Sequence, residues 1–437
     1  MVGLDLKLEK RMSVEVSNAI AIDAARLLAE LKTLSRITDC EQDPAKPEDV
    51  AVTRVVFSEN DMKARAWLKG LAKDAGLKVR EDAVGNTFIR LEGSHPELPA
   101  VGTGSHTDAI PFAGMYDGTV GVLGGLEALR AIKAGGLRPK RSVELLMFTS
   151  EEPTRFGIGC IGSRLLAGTI DPVKADALED KDEKTMAERR AASGFTGTLA
   201  SVKLPKDYYS AWVELHIEQG PLLEREGIQI GIVTDIAAPS GYKFLIEGFG
   251  GHAGALLMPD RKDALCAASE IILSLEKNVL ATGSINTVGT IGLCRVHPGA
   301  VNSVPSRVLL EADVRDTDPA RREGVMQRVR AEIEAIAARR GVKITETKVN
   351  ADDPAQSSAH IVDVVEAICK AEKLSYKKMV SRAYHDSLFM ARIAPIAMIF
   401  IPCRNGVSHK PDEYSTPEQI AMGTRVLAQA LAQLANE

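Results

Sequence analysis

The segment that indicates the fold and the chemistry most clearly reads Gly104-Ser-His-Thr-Asp-Ala-Ile-Pro-Phe-Ala-Gly-Met-Tyr-Asp-Gly118. It carries His106, Asp108 and Asp117 in a polar, glycine-rich stretch, between an apolar run and a run of helical periodicity that extends to Ala134. Loops that follow buried strands are where an α/β sheet presents its chemistry. We therefore predict that this stretch is a loop and that it supplies half of a metal site.

The size and composition of the chain are those of an ordinary globular protein. It has 437 residues, of which 45% are hydrophobic and 26% charged, and its net charge is -5. This length predicts two domains or more. The weak negative charge gives no reason to expect a nucleic acid or an anionic membrane as a partner. Small molecules or other protein chains are the expected partners.

Cysteine usage and the N-terminal residues predict a cytoplasmic protein. The six cysteines are scattered without a C-x-x-C spacing, which favours reduced thiols over a zinc knuckle or a disulfide framework. The first twenty residues mix charged and single apolar side chains and lack the apolar core of a signal peptide. No apolar run reaches the length of about 18 residues that a membrane span needs.

Three further apolar runs are predicted as buried strands that end in polar residues. They are Ser142–Thr149 followed by Glu151-Glu152, Ala211–His216 followed by Glu218-Gln219, and Ile396–Cys403 followed by the loop Asn405–His409. The carboxyl ends of strands in an open α/β sheet lie along one edge and share a crevice. We therefore expect the candidate ligands to converge there: His106, Asp117, Glu152, His216 and His409.

Three imidazoles and two carboxylates are a suitable ligand set for two divalent ions. Mixed nitrogen and oxygen ligands suit Zn²⁺ or Mn²⁺ and would not suit Ca²⁺. Taken singly, each residue has a simpler interpretation, since a lone loop histidine is usually structural and a Glu-Glu pair after a strand usually begins a helix. The position of the whole set at strand ends favours the metal site.

A complete unit is predicted between two parts of the α/β domain. Its order is βαββαβ, with strands at Tyr242–Phe249, Asn286–Val296, Arg307–Arg315 and Val342–Asn350 and helices at Arg261–Val279 and Pro319–Arg340. This is the split ferredoxin-like motif. We therefore predict domain boundaries at residues 1–240 and 354–437 for the two parts of a catalytic domain and at 241–353 for an inserted domain.

Several motifs together resemble the M20 metallopeptidase superfamily, and in particular its branch of ureido-acid amidohydrolases. They are Phe148-Thr-Ser-Glu-Glu-Pro-Thr-Arg-Phe156, Leu215-His-Ile-Glu-Gln-Gly-Pro-Leu-Leu-Glu224, Gly250-Gly-His-Ala-Gly254 and Ser381-Arg-Ala-Tyr-His-Asp-Ser-Leu-Phe-Met-Ala-Arg392. The similarity runs from about Ala19 to the C-terminus. It implies a mixed-sheet, zinc-peptidase-like catalytic domain with an inserted lid and dimerisation domain.

The resemblance also implies a role for each residue of the metal site. His106 and His216 would bind one Mn²⁺ or Zn²⁺ ion, Glu152 and His409 a second, and Asp117 would bridge the two. The carboxylate of Asp108 would orient the His106 imidazole. Glu151 would be the general base that takes a proton from water and passes it to the leaving nitrogen.

Substrate contacts are implied mainly in the inserted domain. His252 would stabilise the oxyanion of the tetrahedral intermediate, and Asn302 and Arg315 would bind the substrate's carboxylate and ureido groups, partly across a homodimer interface. Gln219 would bind the ureido group. Tyr384 and His385 would line the substrate pocket, where a tyrosine favours a small hydroxylated substrate over a bulky one.

The expected activity is hydrolysis of the C–N bond of a small ureido acid, with ureidoglycolate as the expected substrate and glyoxylate, ammonia and carbon dioxide as the products. Alternatives within the branch are hydrolysis of allantoate or of N-carbamoyl-L-amino acids, which would use the same metal ligands. A catalytically silent ureide-binding homologue and a dipeptidase or aminopeptidase remain as alternatives of other kinds. The intact Glu151 argues against the first of these, and the motifs around Glu152 and His216 argue against the second.

Overall fold

The computed structural model of the chain describes residues 20–46 and 49–437. The expectation that the N-terminal residues lack a signal peptide falls on residues that lie, except for Ile20, outside the described ranges. Among the described helices, none combines the length with the apolar character that crossing a bilayer requires.

The chain up to residue 236 is a mixture of strands and helices. The helices are α1 (Ala24–Ser35), α2 (Glu59–Asp74), α3 (Thr119–Ala134), α4 (Ile161–Ala167), α5 (Pro172–Asp176), α6 (Met186–Ala192) and α7 (Leu222–Glu226). The strands are β1 (Val52–Arg54), β2 (Lys78–Glu81), β3 (Thr87–Leu91), β4 (Ala100–His106), β5 (Ala109–Ala113), β6 (Val143–Phe148), β7 (Tyr209–Ile217) and β8 (Ile230–Ile236).

The rest of the chain contains the inserted unit and a return to the α/β pattern. Its strands are β9 (Ala238–Glu247), β10 (Gly251–His252), β11 (Val288–His297), β12 (Ser303–Val304), β13 (Arg307–Asp316), β14 (Lys343–Ala351), β15 (Ala355–Gln356), β16 (Tyr376–Ser381) and β17 (Ile396–Ile401). Its helices are α8 (Ala264–Leu280), α9 (Pro319–Arg340), α10 (Ala359–Ala371), α11 (Ser387–Met390) and α12 (Pro417–Leu434).

One large mixed sheet has the strand order β15-β8-β17-β7-β4-β6-β3-β2, with β16 paired to β8. Its four central strands, β17, β7, β4 and β6, are mutually parallel neighbours. All four were predicted to end in a candidate ligand, and their adjacency places those ends at one edge. Helix α3 packs on this sheet with nearly every residue buried, and its first two turns carry no charged side chain.

The predicted loop Gly104–Gly118 is wrong in part. Strand β4 continues through Ser105 to His106, and β5 occupies Ala109–Ala113 in antiparallel pairing with β1. Glycine and polar residues indicated a loop, but the interior of β4 is buried along its whole length. His106, the predicted ligand, therefore lies at the end of a strand, where β4 pairs with β6 opposite Phe148.

The predicted βαββαβ order of the inserted unit is confirmed. Strands β9, β11, β13 and β14 form a four-stranded antiparallel sheet of order β11-β13-β9-β14, which is the ferredoxin-like arrangement. Alternate residues of β13 are buried, and they pack with α8 and α9 into a separate core. The α/β fold with a mixed sheet is likewise as predicted.

The chain divides into two compact units. The first, called the α/β unit here, comprises the chain up to Thr234 together with Gln356–Met379 and His385–Glu437. The second, called the ferredoxin-like unit, comprises Asp235–Ala355 and Val380–Tyr384. The assignment of these units as catalytic domain and lid stays a prediction.

Candidate metal centre

The α/β unit brings together all five predicted metal ligands. His106 is the last residue of β4 and His216 the penultimate residue of β7, while Glu152 and His409 lie in the segments that follow β6 and β17. Asp117 immediately precedes the turn into α3. Because the four strands are parallel neighbours, these positions share one edge of the sheet.

The ligand atoms form two groups that share Asp117. Atoms of His106, Asp117 and His216 lie within 4.8 Å of one another, and so do atoms of Asp117, Glu152 and His409. Asp117 Oδ1 is 3.6 Å from His106 Nε2 and 3.3 Å from His216 Nε2, whereas Asp117 Oδ2 is 3.2 Å from His409 Nε2. Glu152 Oε1 lies 3.5 Å from His409 Nε2. A carboxylate that faces each group with a different oxygen has the geometry to be shared between the two groups.

Two backbone carbonyls fix the tautomers of the buried histidines. His106 Nδ1 donates to the Asp108 carbonyl oxygen and His216 Nδ1 to the Ile217 carbonyl oxygen, each at 2.9 Å. Since a carbonyl can only accept, Nδ1 carries a hydrogen in both rings, so that in the neutral form of each ring Nε2 presents its lone pair to the site. In its neutral form His216 Nε2 accepts the Gly118 N–H at 3.2 Å, a bond that a metal would replace.

Asp108 plays a different part from the one the resemblance implied. Its carboxylate Oδ1 is 3.8 Å from His106 Nδ1, so the backbone carbonyl of the same residue makes the orienting hydrogen bond. The carboxylate instead accepts the backbone N–H groups of Glu151 at 3.3 Å and Glu152 at 3.0 Å. It thereby ties the segment after β6 to the end of β4.

In the metal-free protein, burial and mutual contacts shift the pKa values of the predicted ligands. Burial alone would raise the pKa of Asp117, but hydrogen bonds from His106, His216 and His409 hold it well below its usual range. The hydrogen bond to Asp117 raises the pKa of His409 to about 9. Burial, reinforced by the charge of Asp117, raises the pKa of Glu152 to about 7. Protons thus occupy the positions that a metal ion would take, and binding of the ion must displace them.

Glu151 lies beside the first ligand group and does not belong to either one. Its Oε2 is 3.7 Å from His106 Nε2, and its Oε1 accepts the Cys160 thiol at 3.4 Å. The side chain is only about one-tenth exposed. Burial raises the pKa of Glu151 well above its usual range, and the negative charge of Glu152 adds to the effect. A carboxylate with a raised pKa at the wall of such a site is suited to proton transfer.

Gln219 connects the two ends of the site. Its Nε2 donates to Asp117 Oδ2 at 2.7 Å and to Ser408 Oγ at 3.2 Å. Its Oε1 is buried and accepts no hydrogen bond from the described residues. The backbone of Gln219 has φ 55°, an uncommon conformation for a residue with a side chain.

Beneath the ligands lies a buried group that the sequence reasoning missed. Glu214 Oε1 accepts the Ser105 hydroxyl at 2.9 Å, and its Oε2 accepts the Ser387 hydroxyl at 2.5 Å. The His385 ring lies 4.6 Å from the His216 ring, and Glu214, His216 and His385 bring ligand-type atoms within 4.8 Å. Strand alternation could have indicated Glu214, since positions 214 and 216 of β7 face the same side of the sheet.

The remaining predicted contacts lie in the ferredoxin-like unit. His252 is exposed on β10, which pairs with β12 next to Asn302, and the Ala253 N–H donates to the Asn302 carbonyl at 2.9 Å. Arg315 donates from Nε and Nη2 to the two carboxylate oxygens of Asp313, both at 2.9 Å. The Tyr384 hydroxyl donates to Asp352 at 3.3 Å. The unit thus groups His252 with Asn302.

The donor set fits divalent Mn²⁺ or Zn²⁺. The two buried imidazoles present Nε2 lone pairs, and the carboxylates of Asp117 and Glu152 supply hard oxygen donors beside them. Such mixed nitrogen and oxygen sets are typical of these ions in hydrolases. Only His409 is well exposed, with 48% of its side chain accessible, so it marks the solvent side of the centre.

An α/β sheet with this candidate ligand set at its edge is the arrangement expected of a metal-dependent hydrolase. The model of Peptidase family M20/M25/M40 matches residues 102–433. The chain belongs to this family, and the resemblance identified from the sequence motifs is confirmed.

Relatives with named activities cover most of the chain. Ureidoglycolate hydrolase of Oryza sativa subsp. japonica is 54% identical over 389 residues, which cover 88% of this chain and 80% of that protein. Ureidoglycolate hydrolase of Arabidopsis thaliana is 49% identical over 97% of this chain and 89% of that protein. The crystal structures of AtUAH in complex with glyoxylate and with (S)-hydroxyglycine each match with a TM-score of 0.88 at 49% identity, over 97% of this chain and 100% of the matched chain.

Proposed function

We propose that the chain hydrolyses ureidoglycolate to glyoxylate, ammonia and carbon dioxide. The observation that carries the proposal is the convergence, in one unit, of two ligand groups that share Asp117, with Glu151 beside them. The identity of 49–54% to relatives named ureidoglycolate hydrolase supports the choice of substrate.

The reaction balances with water as the only co-reactant. Water adds to the ureido carbonyl, and the terminal nitrogen leaves as ammonia. The resulting carbamate loses carbon dioxide to give hydroxyglycine, which eliminates a second ammonia to give glyoxylate. Complexes of AtUAH with (S)-hydroxyglycine and with glyoxylate correspond to the last two species.

Two divalent ions are proposed for the two ligand groups, one held by His106 and His216 and one by Glu152 and His409, with Asp117 shared. Bound there, the ions supply polarisation of a carbonyl oxygen and a lowered pKa for a water molecule. The chain's own contribution is to hold the histidines in the tautomer that presents Nε2, and to bury the carboxylates so that their charges are not screened by solvent.

Glu151 is proposed as the general base. It takes a proton from water and returns it to the leaving nitrogen. The Asp108 carboxylate holds the Glu151 backbone N–H, and the Cys160 thiol donates to Oε1, so that Oε2 is directed toward His106. Fixed placement of this kind is what proton transfer at a reacting atom needs.

Gln219 is proposed to bind the ureido group through its side-chain oxygen. That oxygen is a buried acceptor without a donor among the described residues, whereas its amide nitrogen is committed to Asp117 and Ser408. A ureido nitrogen carries the hydrogens that such an acceptor lacks. His385, whose ring contacts the His216 ring, is proposed as a further contact.

The ferredoxin-like unit is proposed to serve as the lid, with His252 stabilising the oxyanion and Asn302 contacting the substrate. Arg315 is proposed to bind the substrate carboxylate, because a planar guanidinium fork matches that group. It already makes this kind of contact with Asp313, so the substrate would exchange with an internal carboxylate. Tyr384 is proposed to narrow the pocket and favour a small substrate.

A homodimer through the ferredoxin-like unit is also proposed. Strand β11 is an outer strand of the four-stranded sheet, and Leu273 and Leu280 of α8 are 62% and 73% exposed. An open strand edge beside exposed leucines is suited to pairing with a second copy. Light scattering after gel filtration should give twice the chain mass. Leu273→Glu should reduce it to one chain mass, whereas Val173→Glu, at a residue of the α/β unit that is 77% exposed, should leave the dimer intact.

The absence of disulfides among the described cysteines bears on the cellular compartment in which the protein works. All six lie within the described part of the chain and are free thiols. Disulfides persist in oxidising compartments and are rare in the cytosol. We propose on this basis that the protein works in the cytoplasm.

Glu151→Gln tests the mechanism. The variant keeps the shape of the side chain but cannot accept a proton, so ammonia release from ureidoglycolate should fall by about 100-fold or more. Metal content, measured by mass spectrometry after dialysis, should be unchanged. Glu152→Gln is the matched control at the adjacent position, and it should lose metal as well as activity. Full activity in Glu151→Gln contradicts the proposed base.

A substrate panel tests the choice of ureido acid. The metal-loaded protein is assayed for ammonia release from ureidoglycolate, allantoate, ureidoglycine and several N-carbamoyl-L-amino acids. The highest kcat/KM is expected for ureidoglycolate. A preference for allantoate or a carbamoyl amino acid would replace the substrate while leaving the site unchanged, and absence of turnover on every member would favour a silent ureide-binding homologue.

A further inference from the structure

Glu413 is a buried carboxylate that contacts two segments of the metal centre without belonging to either ligand group. Only 3% of the residue is exposed. Its Oε1 accepts the backbone N–H groups of Tyr116 at 2.9 Å and Asp117 at 3.0 Å. Its Oε2 accepts the Ser408 hydroxyl at 2.8 Å. One side chain thus joins the segment of Asp117 to the segment of His409, although nearly 300 residues separate them in the chain.

The segment that carries Asp117 is shaped to admit this carboxylate. A Cβ added at Gly114 would lie 2.3 Å from Glu413 Cβ and 2.5 Å from Glu413 Oε1. Contacts below 3.0 Å require something to move. The glycine therefore provides the space in which Glu413 reaches the amides of the following residues.

The segment that carries His409 is closed at its base next to Glu413. The Arg404 N–H donates to the Tyr414 carbonyl at 2.8 Å, and the Ser415 hydroxyl donates to the Pro402 carbonyl at 2.6 Å. The Tyr414 ring meets the Tyr116 ring edge to face at 6.0 Å. His409 itself lies on the exposed part of this closed loop, where burial gives it little support.

A directed chain of hydrogen bonds links the loop to Asp117. Ser408 Oγ lies 2.8 Å from Glu413 Oε2 and 3.0 Å from Asp117 Oδ2, but its one hydroxyl hydrogen can serve only one of them. Donation to Glu413 leaves Asp117 Oδ2 to accept the Gln219 amide at 2.7 Å and to face His409 Nε2 at 3.2 Å. Glu413 thus offers the hydroxyl an acceptor other than the oxygen that would ligate an ion.

We propose that Glu413 is a positioning residue for the metal ion of the second ligand group, formed by Asp117, Glu152 and His409. Its carboxylate sets the distance between Asp117 and His409 and keeps Asp117 Oδ2 available to the ion. The inference rests on the proposed ligand set. It adds a residue that neither ligates the metal nor reaches the substrate.

The test compares metal binding by four forms of the full-length protein: the wild type, Glu413→Gln, Glu413→Ala and Ser408→Ala. Gln retains an oxygen for the two backbone N–H groups but has no second acceptor for Ser408. Each form is equilibrated with buffered free Mn²⁺. The bound ions are counted by mass spectrometry, and the magnetic coupling between paired Mn²⁺ ions is followed by electron paramagnetic resonance.

The wild type is expected to hold two coupled ions. Glu413→Ala should hold one uncoupled ion at the same free Mn²⁺, and Glu413→Gln and Ser408→Ala should bind the second ion about 10- to 100-fold more weakly, the range found when groups around metal ligands are changed. The control Glu127→Gln alters another buried carboxylate, which accepts the Asp23 N–H at 2.9 Å away from the ligand set. It should lower the melting temperature without changing the ion count.

The outcomes separate this inference from the proposed function. A wild type that binds no ion pair contradicts the ligand set itself. A wild type with two ions, together with Glu413→Gln and Ser408→Ala that bind both with unchanged affinity and coupling, overturns the role of Glu413 and leaves the ligand set standing. If Glu413→Ala does not fold, the other two variants still decide the question.

Discussion

Replacing Gly118 by alanine should damage the metal centre through one added methyl group. Gly118 has φ 65° and ψ -41°, and the Thr119 N–H donates to the Asp117 carbonyl at 2.7 Å. It is therefore the centre of a γ-turn whose positive φ is strained for a residue with a side chain. A Cβ there would also lie 2.4 Å from His106 Nε2, the nitrogen that faces Asp117.

The size of the effect follows from two separate terms. The backbone strain is worth about 1–3 kcal/mol in the free energy of unfolding. The ring has little freedom to yield, because His106 is only 3% exposed and its Nδ1 is held by the Asp108 carbonyl. Restoring an ordinary contact of 3.4 Å moves the ligand nitrogen by about 1 Å, whereas metal–ligand distances tolerate about 0.2 Å. The affinity for Mn²⁺ or Zn²⁺ should therefore fall by about 10- to 100-fold.

Gly136→Ala is the matched control for Gly118→Ala. Gly136 has φ 69°, and no described atom lies within 4 Å of a Cβ built there. It should lose about 1–2 kcal/mol from the backbone term and keep its metal affinity. Urea unfolding of the metal-free proteins measures the first quantity, and chelator competition measures the second. Equal metal affinities in the two variants would refute the argument that the methyl group displaces His106.

Two further predictions concern the support of the site and its pH dependence. Arg54 is 1% exposed and donates to the backbone carbonyls of Thr107, Leu34 and Ile37. Arg54→Met would leave these buried carbonyls without a donor, so it should lower the free energy of unfolding, measured by urea titration, by about 3–5 kcal/mol. Arg54→Lys should recover part of this loss. In the metal-free protein, a hydrogen bond to Asp117 raises the pKa of His409 to about 9 and burial raises that of Glu152 to about 7. Both shifts favour the protonated form in the folded state, so the stability they contribute is complete below the ordinary pKa values and is lost as the pH rises through 7 and 9. The melting temperature in EDTA should fall between pH 6 and 9, and the increase caused by Mn²⁺ should grow over the same interval; a rise in EDTA would contradict the assignment.

The ligand set was predictable because each member follows an apolar run that composition marks as a buried strand. Val143–Phe148 and Ile396–Ile401 are apolar at nearly every position, as expected for central parallel strands. The order of the strands in the sheet depends on long-range pairing, which the sequence does not show. The convergence of the ligands could still be predicted, because the carboxyl ends of parallel strands share one edge whatever their order. Strands β8 and β16 were not predicted, although the β-branched residues of β8, which reads Ile230-Gly-Ile-Val-Thr-Asp-Ile236, favour a strand.

Strand β4 shows why a glycine-rich segment can be mistaken for a loop. A Cβ at Gly102 would lie 2.4 Å from the Trp212 ring, and one at Gly104 would lie 2.3 Å from the Leu146 carbonyl oxygen. These glycines leave room for the indole of the neighbouring strand, whereas propensity scales count them against a strand. The reason for the glycines lies in Leu146 and Trp212, on other strands of the sheet, and a local pattern does not contain it.

The same limit applies to the carboxylates that support the ligands. The resemblance implied that the Asp108 carboxylate orients His106, but the chain turns after the strand, and the carboxylate binds the amides of Glu151 and Glu152 instead. Glu413 does the equivalent for the amide of Asp117 from the other end of the chain. Each of these carboxylates joins two ligand-bearing segments that are distant from each other in the sequence. Because an ionised acceptor binds backbone N–H groups more strongly than a neutral one, carboxylates suit this task despite the repulsion they add to the metal-free site. The cations that the ligands would hold offset that repulsion, so we expect metal binding and the rigidity of these segments to increase together.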